Sequence, residues 1–285
     1  MKEQRLLCLC AVLISLGGAL PVHAEDGPGW TFSGHFQGSS NSSGLVMKAD
    51  PSLGYSFSRH SQVYVGLPFY FVNRSSTTTT TTSTSGFVNG IGNAFVGLHL
   101  GVSHQALDFD SNVEATAPTG DKDKGFSTGR ATVDWTNRFS HTFSAITPFA
   151  RVGVANTVSD TSFFVRPFSS LGLVTHFDGG AELQIAPLVT AGASGYGIRG
   201  SGEQRIFSKV KNNSLTAGAG TTSAKRVFDT NSETVGSADL TNDKGFSGWL
   251  AIHARSGVDF QAGYTRSVGY DLNTFFFGVG FRVGN

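Results

Sequence analysis

The sequence predicts an all-β chain: an up-and-down antiparallel transmembrane β-barrel of about twelve strands (alternative fourteen) with long extracellular loops. Three observations carry this. Apolar residues recur at every second position in segment after segment, the period of a strand with two unlike faces. Gly (37 residues) and Phe (24) are abundant while charged residues make up only 14%, a balance that favours strands and turns over helices. The connections alternate as well. Short turns lie at one end of the strands and longer loops at the other, with both chain ends on the short side, which is the arrangement of single-chain outer-membrane barrels.

The first residues read as a targeting segment. Lys2 and Arg5 precede the apolar run Leu6 to Leu20, and Val22-His23-Ala24 fits a small-residue cleavage site. This predicts a secretory signal peptide over 1–24 and a single barrel domain over 25–285 after Sec-type export. Both cysteines, Cys8 and Cys10, fall inside that peptide, so no disulfide framework or thiolate metal site is expected in the remainder. Without Lys2, Arg5 and Glu3 the 21 basic and 20 acidic residues become 19 of each, and nothing in the net charge points to nucleic acid. No later apolar run is long enough for a membrane helix, which leaves a closed barrel as the route into a bilayer.

The strands follow in order. Trp30, Phe32, Gly34 and Phe36 alternate with Thr31, Ser33, His35 and Gln37. Leu45 to Phe57 alternate with Lys48, Asp50 and Ser52 on the other face. Val63 to Phe71 form the third, and Pro51 and Pro68 each remove a ladder donor. A polar loop with six threonines, Thr77 to Thr82, has no apolar face to bury. Next come Ala94 to Leu100 and then Leu107 to Ala117, whose second face carries Asp108, Asp110 and Glu114. Ala131 to Phe139 is set against Arg130, Asp134 and Arg138, and Ile146 to Val154 against Arg151. The eighth strand is expected from about Phe164 to Thr175, and a turn at His176 to Gly180. The ninth, Ala181 to Val189, carries Glu182. A long extracellular loop is expected at about 194–243. Leu250 to Ala254 carries Arg255 opposite, Val258 to Tyr264 carries Asp259, and the closing strand sets Phe275, Phe277, Val279, Phe281 and Val283 against Thr274, Phe276, Gly278, Gly280 and Arg282. Extra strands at Gln204 to Asn212 and Ala224 to Thr230 would raise the count to fourteen.

Three segments resemble a known family: Asn89-Gly-Ile-Gly-Asn-Ala-Phe-Val-Gly-Leu-His-Leu100, Ala117-Pro-Thr-Gly-Asp121 and Ile146-Thr-Pro-Phe-Ala-Arg-Val-Gly-Val-Ala-Asn156. They are similar to the outer-membrane channel family named for the meta-pathway of phenol degradation, most clearly over roughly 87–185. The closing strand also resembles the C-terminal sorting signal read by the outer-membrane assembly machinery, although it ends Val283-Gly284-Asn285 instead of on an aromatic. The family resemblance implies an outer-membrane barrel that passes hydrophobic or aromatic compounds, with no catalytic residues.

A cation on the lipid face at mid-membrane costs about 2–4 kcal/mol, so charges on these strands are expected to face the lumen. The lumen-lining candidates are Lys48, Asp50, Asp108, Asp110, Glu114, Arg130, Asp134, Arg138, Arg151, Glu182, Arg255, Asp259 and Arg282. They could line an open selective pore or pair across a closed one. Arg199, Arg205, Lys209 and Lys211 begin the long loop and are candidates for a constriction paired with Asp108, Asp110 or Glu114, or for an outward site on lipopolysaccharide phosphates. Gly125-Phe-Ser127-Thr-Gly129 has the spacing of a nucleophile elbow but lacks the strand before and helix after it that the elbow needs. Asp121-Lys-Asp123-Lys-Gly125 lacks the later Glu of a calcium loop. The expectation is therefore no enzyme, no metal and no cofactor, but a passive channel for small molecules seated in outer-membrane lipid and lipopolysaccharide, with a closed structural barrel as the alternative and no oligomeric state indicated.

Overall fold

The computed structural model describes residues 28–58, 60–74, 87–161, 164–211, 225–254 and 257–284. The expected signal peptide, Arg59, the threonine run, Gly218 to Gly220 and Arg255 lie outside these residues.

Twelve antiparallel strands close into a barrel. They are β1 (Gly29–Asn41), β2 (Gly44–Ser58), β3 in two pieces (Ser61–Gly66 and Phe69–Arg74), β4 in two pieces (Phe87–Ile91 and Phe95–His104), β5 (Leu107–Thr116), β6 (Thr132–Ser140), β7 (Ile146–Ala155), β8 (Phe168–Ala186), β9 (Val189–Ser208), β10 (Asp243–Ala254), β11 (Val258–Ser267) and β12 (Leu272–Gly284). Each pairs with its neighbours in sequence, and the first strand closes the wall on the last, from Thr31↔Gly284 to Ser40↔Phe275. A short extra strand, Glu233–Gly236, folds onto the far end of β9.

The period-two pattern sorts the faces as the sequence requires. Phe32, Leu53, Val65, Leu98, Val113, Val152, Leu183, Leu250, Phe260 and Phe277 stand exposed on the outside. On β12 the outward positions Phe275 to Val283 cover eight steps, which at ~3.3 Å rise and ~40° tilt is roughly 20 Å of apolar wall. Trp30, Tyr55 and Phe57 form an aromatic group at the short-turn end, and Phe246, Tyr264 and Phe275 another towards the long-loop end.

Three expectations about the middle of the chain are corrected. His176 to Gly180 is not a turn. The strand β8 runs straight through it, with Phe177 against Gly197 and Gly179 against Gly195, and the turn comes at Pro187-Leu188. The segment Ser194 to Ser208 is not loop but the second half of β9. Its alternation is inverted: Tyr196 and Ile198 face inward and glycines face out, so the usual apolar-out signal is missing. Phe164 to Pro167, expected to start the eighth strand, instead belong to the preceding loop.

The two prolines occupy the same place in the wall. The β2–β3 ladder jumps from Ala49↔Phe69 to Ser52↔Gly66. Pro51 and Pro68 lie in that interval, where their missing N–H groups cost no rung. The interruption carries on into β4 at Gly92 to Ala94, where Gly92 N donates to the Pro68 carbonyl at 2.8 Å.

Candidate functional site: the filled lumen

The inward faces of β2, β5, β6, β7 and β8 bring most of the lumen-lining candidates together, and these are paired. Lys48 meets Asp50 at 2.8 Å, Arg151 meets Asp178 at 3.1 Å, and Arg138 meets Glu182 at 3.6 Å. Asp134 receives His176 Nε2 at 3.2 Å, Thr136 at 2.9 Å and the Ser159 hydroxyl at 2.8 Å. Glu114 accepts from the Tyr64 phenol at 3.2 Å. Phe149 lies between two guanidinium groups, with Arg138 at 5.3 Å and Arg151 at 5.0 Å from its ring centre, a desolvated cation–π arrangement. Nearer the short-turn rim, Asp110 lies 3.5 Å from His99 and Asp259 2.9 Å from His253. Asp108 accepts from the Ser103 hydroxyl, and Arg282 is exposed. Arg130 is not in the lumen: it precedes β6 in an exposed turn, because the strand starts two residues later than its alternation suggests.

His176 and Asp178 were not among the candidates, because the stretch resembled a turn. The signal that could have placed them is the continued alternation His176, Asp178, Gly180 inward. His176 reaches both Asp134 and Thr136 through the same Nε2. The ring therefore does not bridge an acid to a hydroxyl as a nucleophile-activating triad does. Among the described residues no cluster of three His, Cys, Asp or Glu side chains could hold a metal. The Ser127 hydroxyl accepts from Gly129 N at 3.0 Å within a turn. Gly125, with φ +75°, brings that loop against the β9 end, where a Cβ would lie 2.1 Å from the Ser208 carbonyl.

Above the ion pairs the barrel is filled by its own loops. The described residues of the loop between β7 and β8, 156–161 and 164–167, turn inward and cross the lumen. Val158 N donates to the Ser170 hydroxyl at 2.7 Å, and Val165 N to the Ser39 hydroxyl of β1 at 2.8 Å. In a ring of twelve, β1 is opposite β7, so the loop spans the full width. Phe164 inserts among the inward side chains Phe149, Trp249, Ala251 and Phe276. Val165 joins a second apolar cluster with Phe126, Val210, Phe228 and Tyr270, which come from other connections at that end, and with Val46, Val72 and Phe168 of the wall. The lumen at the long-loop end is thus an aromatic plug.

Asp160 latches this plug. Its carboxylate accepts from the Tyr70 phenol at 3.2 Å and the Arg166 N–H at 2.8 Å, and faces Lys209 Nζ at 3.7 Å. Burial alone would push this carboxyl up, but Lys209 and Lys48 outweigh it and hold it below the ordinary range. Burial pushes the Lys209 ammonium down to about 8 against the pull of Asp160. Of the four constriction candidates, Lys209 alone lies inside, 1% exposed, with Nζ 4.6 Å from the centre of the Tyr70 ring. Arg199 is on the outer face of β9. Arg205 pairs with Glu203 at 2.9 Å and Glu233 at 3.6 Å. Lys211 donates to the Ser232 hydroxyl at 3.1 Å. Among the described residues, the loop that crosses the barrel is the one after β7. Two cavities remain beside the plug. One of about 190 Å³ lies among Asp134, Arg151, Phe164, Arg166, His176 and Tyr196. The other, of about 120 Å³, lies among Lys48, Pro68, Tyr70, Glu114, Asp160 and Lys209.

The same architecture is found in an outer membrane channel from Pseudomonas putida F1, similar at TM-score 0.55 and 12% identity, with 94% of this chain and 97% of that one covered. Further similar structures are the NanC porin (TM-score 0.47, 11% identity, 87% of this chain and 98% of that one) and the KdgM porin in complex with disordered oligogalacturonate (TM-score 0.49, 7% identity, 87% and 98%). At these identities the likeness is one of fold. No protein-family model and no curated protein matches the chain.

Proposed function

We propose that this chain is an outer-membrane barrel that conducts small molecules passively, and that its solutes are small apolar or aromatic compounds. The barrel fold and its continuous lipid-facing belt support the membrane placement, with the long loops outside the cell. The observation that carries the solute class is the plug. A lumen built to pass ions keeps a polar, water-filled cross-section, whereas here Phe164, Phe149, Trp249 and Phe276 continue an apolar path downward from Phe126, Phe228 and Tyr270. Beneath it, Lys48, Arg138 and Arg151 are each neutralised by a carboxylate, Asp50, Glu182 and Asp178, which leaves these cations no free charge to select by. An apolar solute can exchange with the plug's side chains without loss of buried apolar contact.

The proline interruption across β2–β4 supports a second reading, in which such a solute leaves sideways into lipid. The 120 Å³ cavity is lined by Pro68 and Asn93 and so lies directly behind the interruption. Reconstitution into liposomes separates the readings. Protein-dependent entry of a small aromatic into the vesicle interior is expected for a through-channel. Partition into the vesicle membrane without entry favours the lateral route. A folded protein that moves neither an aromatic nor ions would leave a structural barrel.

A further inference from the structure

The outer wall carries a group of cations that neither the lumen nor the plug uses. Arg199 stands ten residues above Val189 on β9, Lys244 ten above Ala254 on β10, and Arg266 eight above Val258 on β11, counting from the short-turn ends. At ~2.5 Å of height per tilted residue this is roughly 20–25 Å up, the upper edge of the apolar band. Arg199 and Lys244 are exposed, and they sit on adjacent strands, with Lys244 paired to Gly197, two residues below Arg199 on the same face. Lys225 adds a charge beside them, its Nζ 3.0 Å from the Asn242 carbonyl. Two acids lie close. Asp271 pairs with Arg266, and Asp239 accepts from the Asn242 amide at 2.8 Å. The balance stays positive.

The wall beneath is hollowed. Down the outer face of β9 from Arg199 come Gly197, Gly195, Ala193 and Ala191, and the rungs beside them are Gly179↔Gly195, Ala181↔Ala193 and Ala193↔Gly248. A Cβ placed at Gly179, Gly195 or Gly248 would meet nothing nearer than 3.7 Å. Phe177, packed over Gly197, and the exposed Phe246 and Leu250 rise on either side. A positive head over an apolar trough at the outer leaflet fits one kind of molecule: an anionic lipid whose phosphates reach the cations while an acyl chain lies along the glycines.

We propose that β8–β11 form a binding site for lipid A, the phosphorylated glycolipid of the outer leaflet, with Arg199 and Lys244 on its phosphates and the trough from Gly195 to Ala191, below the Phe177 ring, holding a chain. This rests on the membrane placement above and on the long loops facing outward. The test is native mass spectrometry of the detergent-purified, folded protein with bisphosphorylated lipid A, monophosphorylated lipid A and phosphatidylglycerol. A retained bisphosphorylated adduct is expected, weakened at least tenfold in the double variant Arg199→Gln, Lys244→Gln and also in Gly195→Leu, which fills the trough but leaves the charges. The double variant keeps the heat-dependent electrophoretic shift of a folded barrel, because both side chains are exposed. Equal adducts in wild type and double variant, or equal retention of phosphatidylglycerol, overturn the proposal. Failure of the wild type to insert into liposomes would instead count against the membrane placement itself.

Discussion

Removing the aromatic that anchors the crossing loop should open the barrel without unfolding it. Phe164 is 6% exposed and packs on the inward side chains Phe149, Trp249, Ala251 and Phe276, with the Arg166 guanidinium 4.8 Å from its ring centre. A buried phenylalanine covers roughly 150–250 Å², which at ~25 cal/mol per Å² corresponds to ~4–6 kcal/mol, and measured Phe→Ala changes cost ~3–5 kcal/mol. Phe164 also borders the cavity of about 190 Å³, so water can occupy part of the space left, and the lower figure applies. About 3 kcal/mol is roughly a 150-fold shift from docked to undocked loop, at ~1.4 kcal/mol per factor of ten. The wall's own hydrogen bonds are untouched, so the folded barrel persists. The assay is single-channel recording in a planar bilayer, comparing the open-to-closed ratio of wild type and Phe164→Ala, with the electrophoretic shift as the folding control. A folded variant whose ratio moves less than ~3-fold would refute the assignment of Phe164 as the anchor.

Acid should loosen the same plug. The Asp160 carboxyl is held below its ordinary value of 3.8, so its contribution is complete above that pH and is lost as pH falls through the lower folded value. Conductance should therefore stay low from pH 7 to about 4 and rise only below, and Asp160→Asn should conduct at pH 7 as the wild type does in acid. Arg151→Gln leaves Asp178 without its cation, and in an open background made by Phe164→Ala this should move the lumen several-fold towards potassium over chloride, read from the reversal potential. Gly125→Ala places a methyl against the Ser208 carbonyl at a positive φ. It should cost about 1–3 kcal/mol of local packing, seen as faster proteolysis within the loop between β5 and β6 while the strands remain protected.

The twelve-strand wall was legible because lipid on one side and a polar lumen on the other enforce strict alternation. Where that contrast fails, so does the reading. At Tyr196 and Ile198 the inside is apolar, because the plug meets the wall there, and the outside is glycine. The strand therefore looked like a loop. At His176 to Gly180 the run Asp178-Gly179-Gly180 imitates a turn, although the strand continues through it with Phe177 over Gly197 across the strand pair. The paired lumen charges were readable as inward from their spacing on one face, but not which partner each would take, since that depends on register between strands. The crossing loop was not readable at all: its aromatic anchor is a single residue whose partners lie on β7, β10 and β12. Lys209 was named for its charge alone, and only the fold shows that it faces Asp160 of a different loop.

The full-width reach of the crossing loop dictates an order of assembly. Val165 hydrogen-bonds a residue 126 positions away on the first strand, and Phe164 packs on Phe276 of the last. Neither contact exists until the chain ends have met along the β1–β12 seam. Closing the ring must come first and sealing it second, so the nascent protein passes through a stage as an empty cylinder. Protection of the crossing loop from protease should therefore appear later than resistance of the wall, making that loop a clock for the completion of folding.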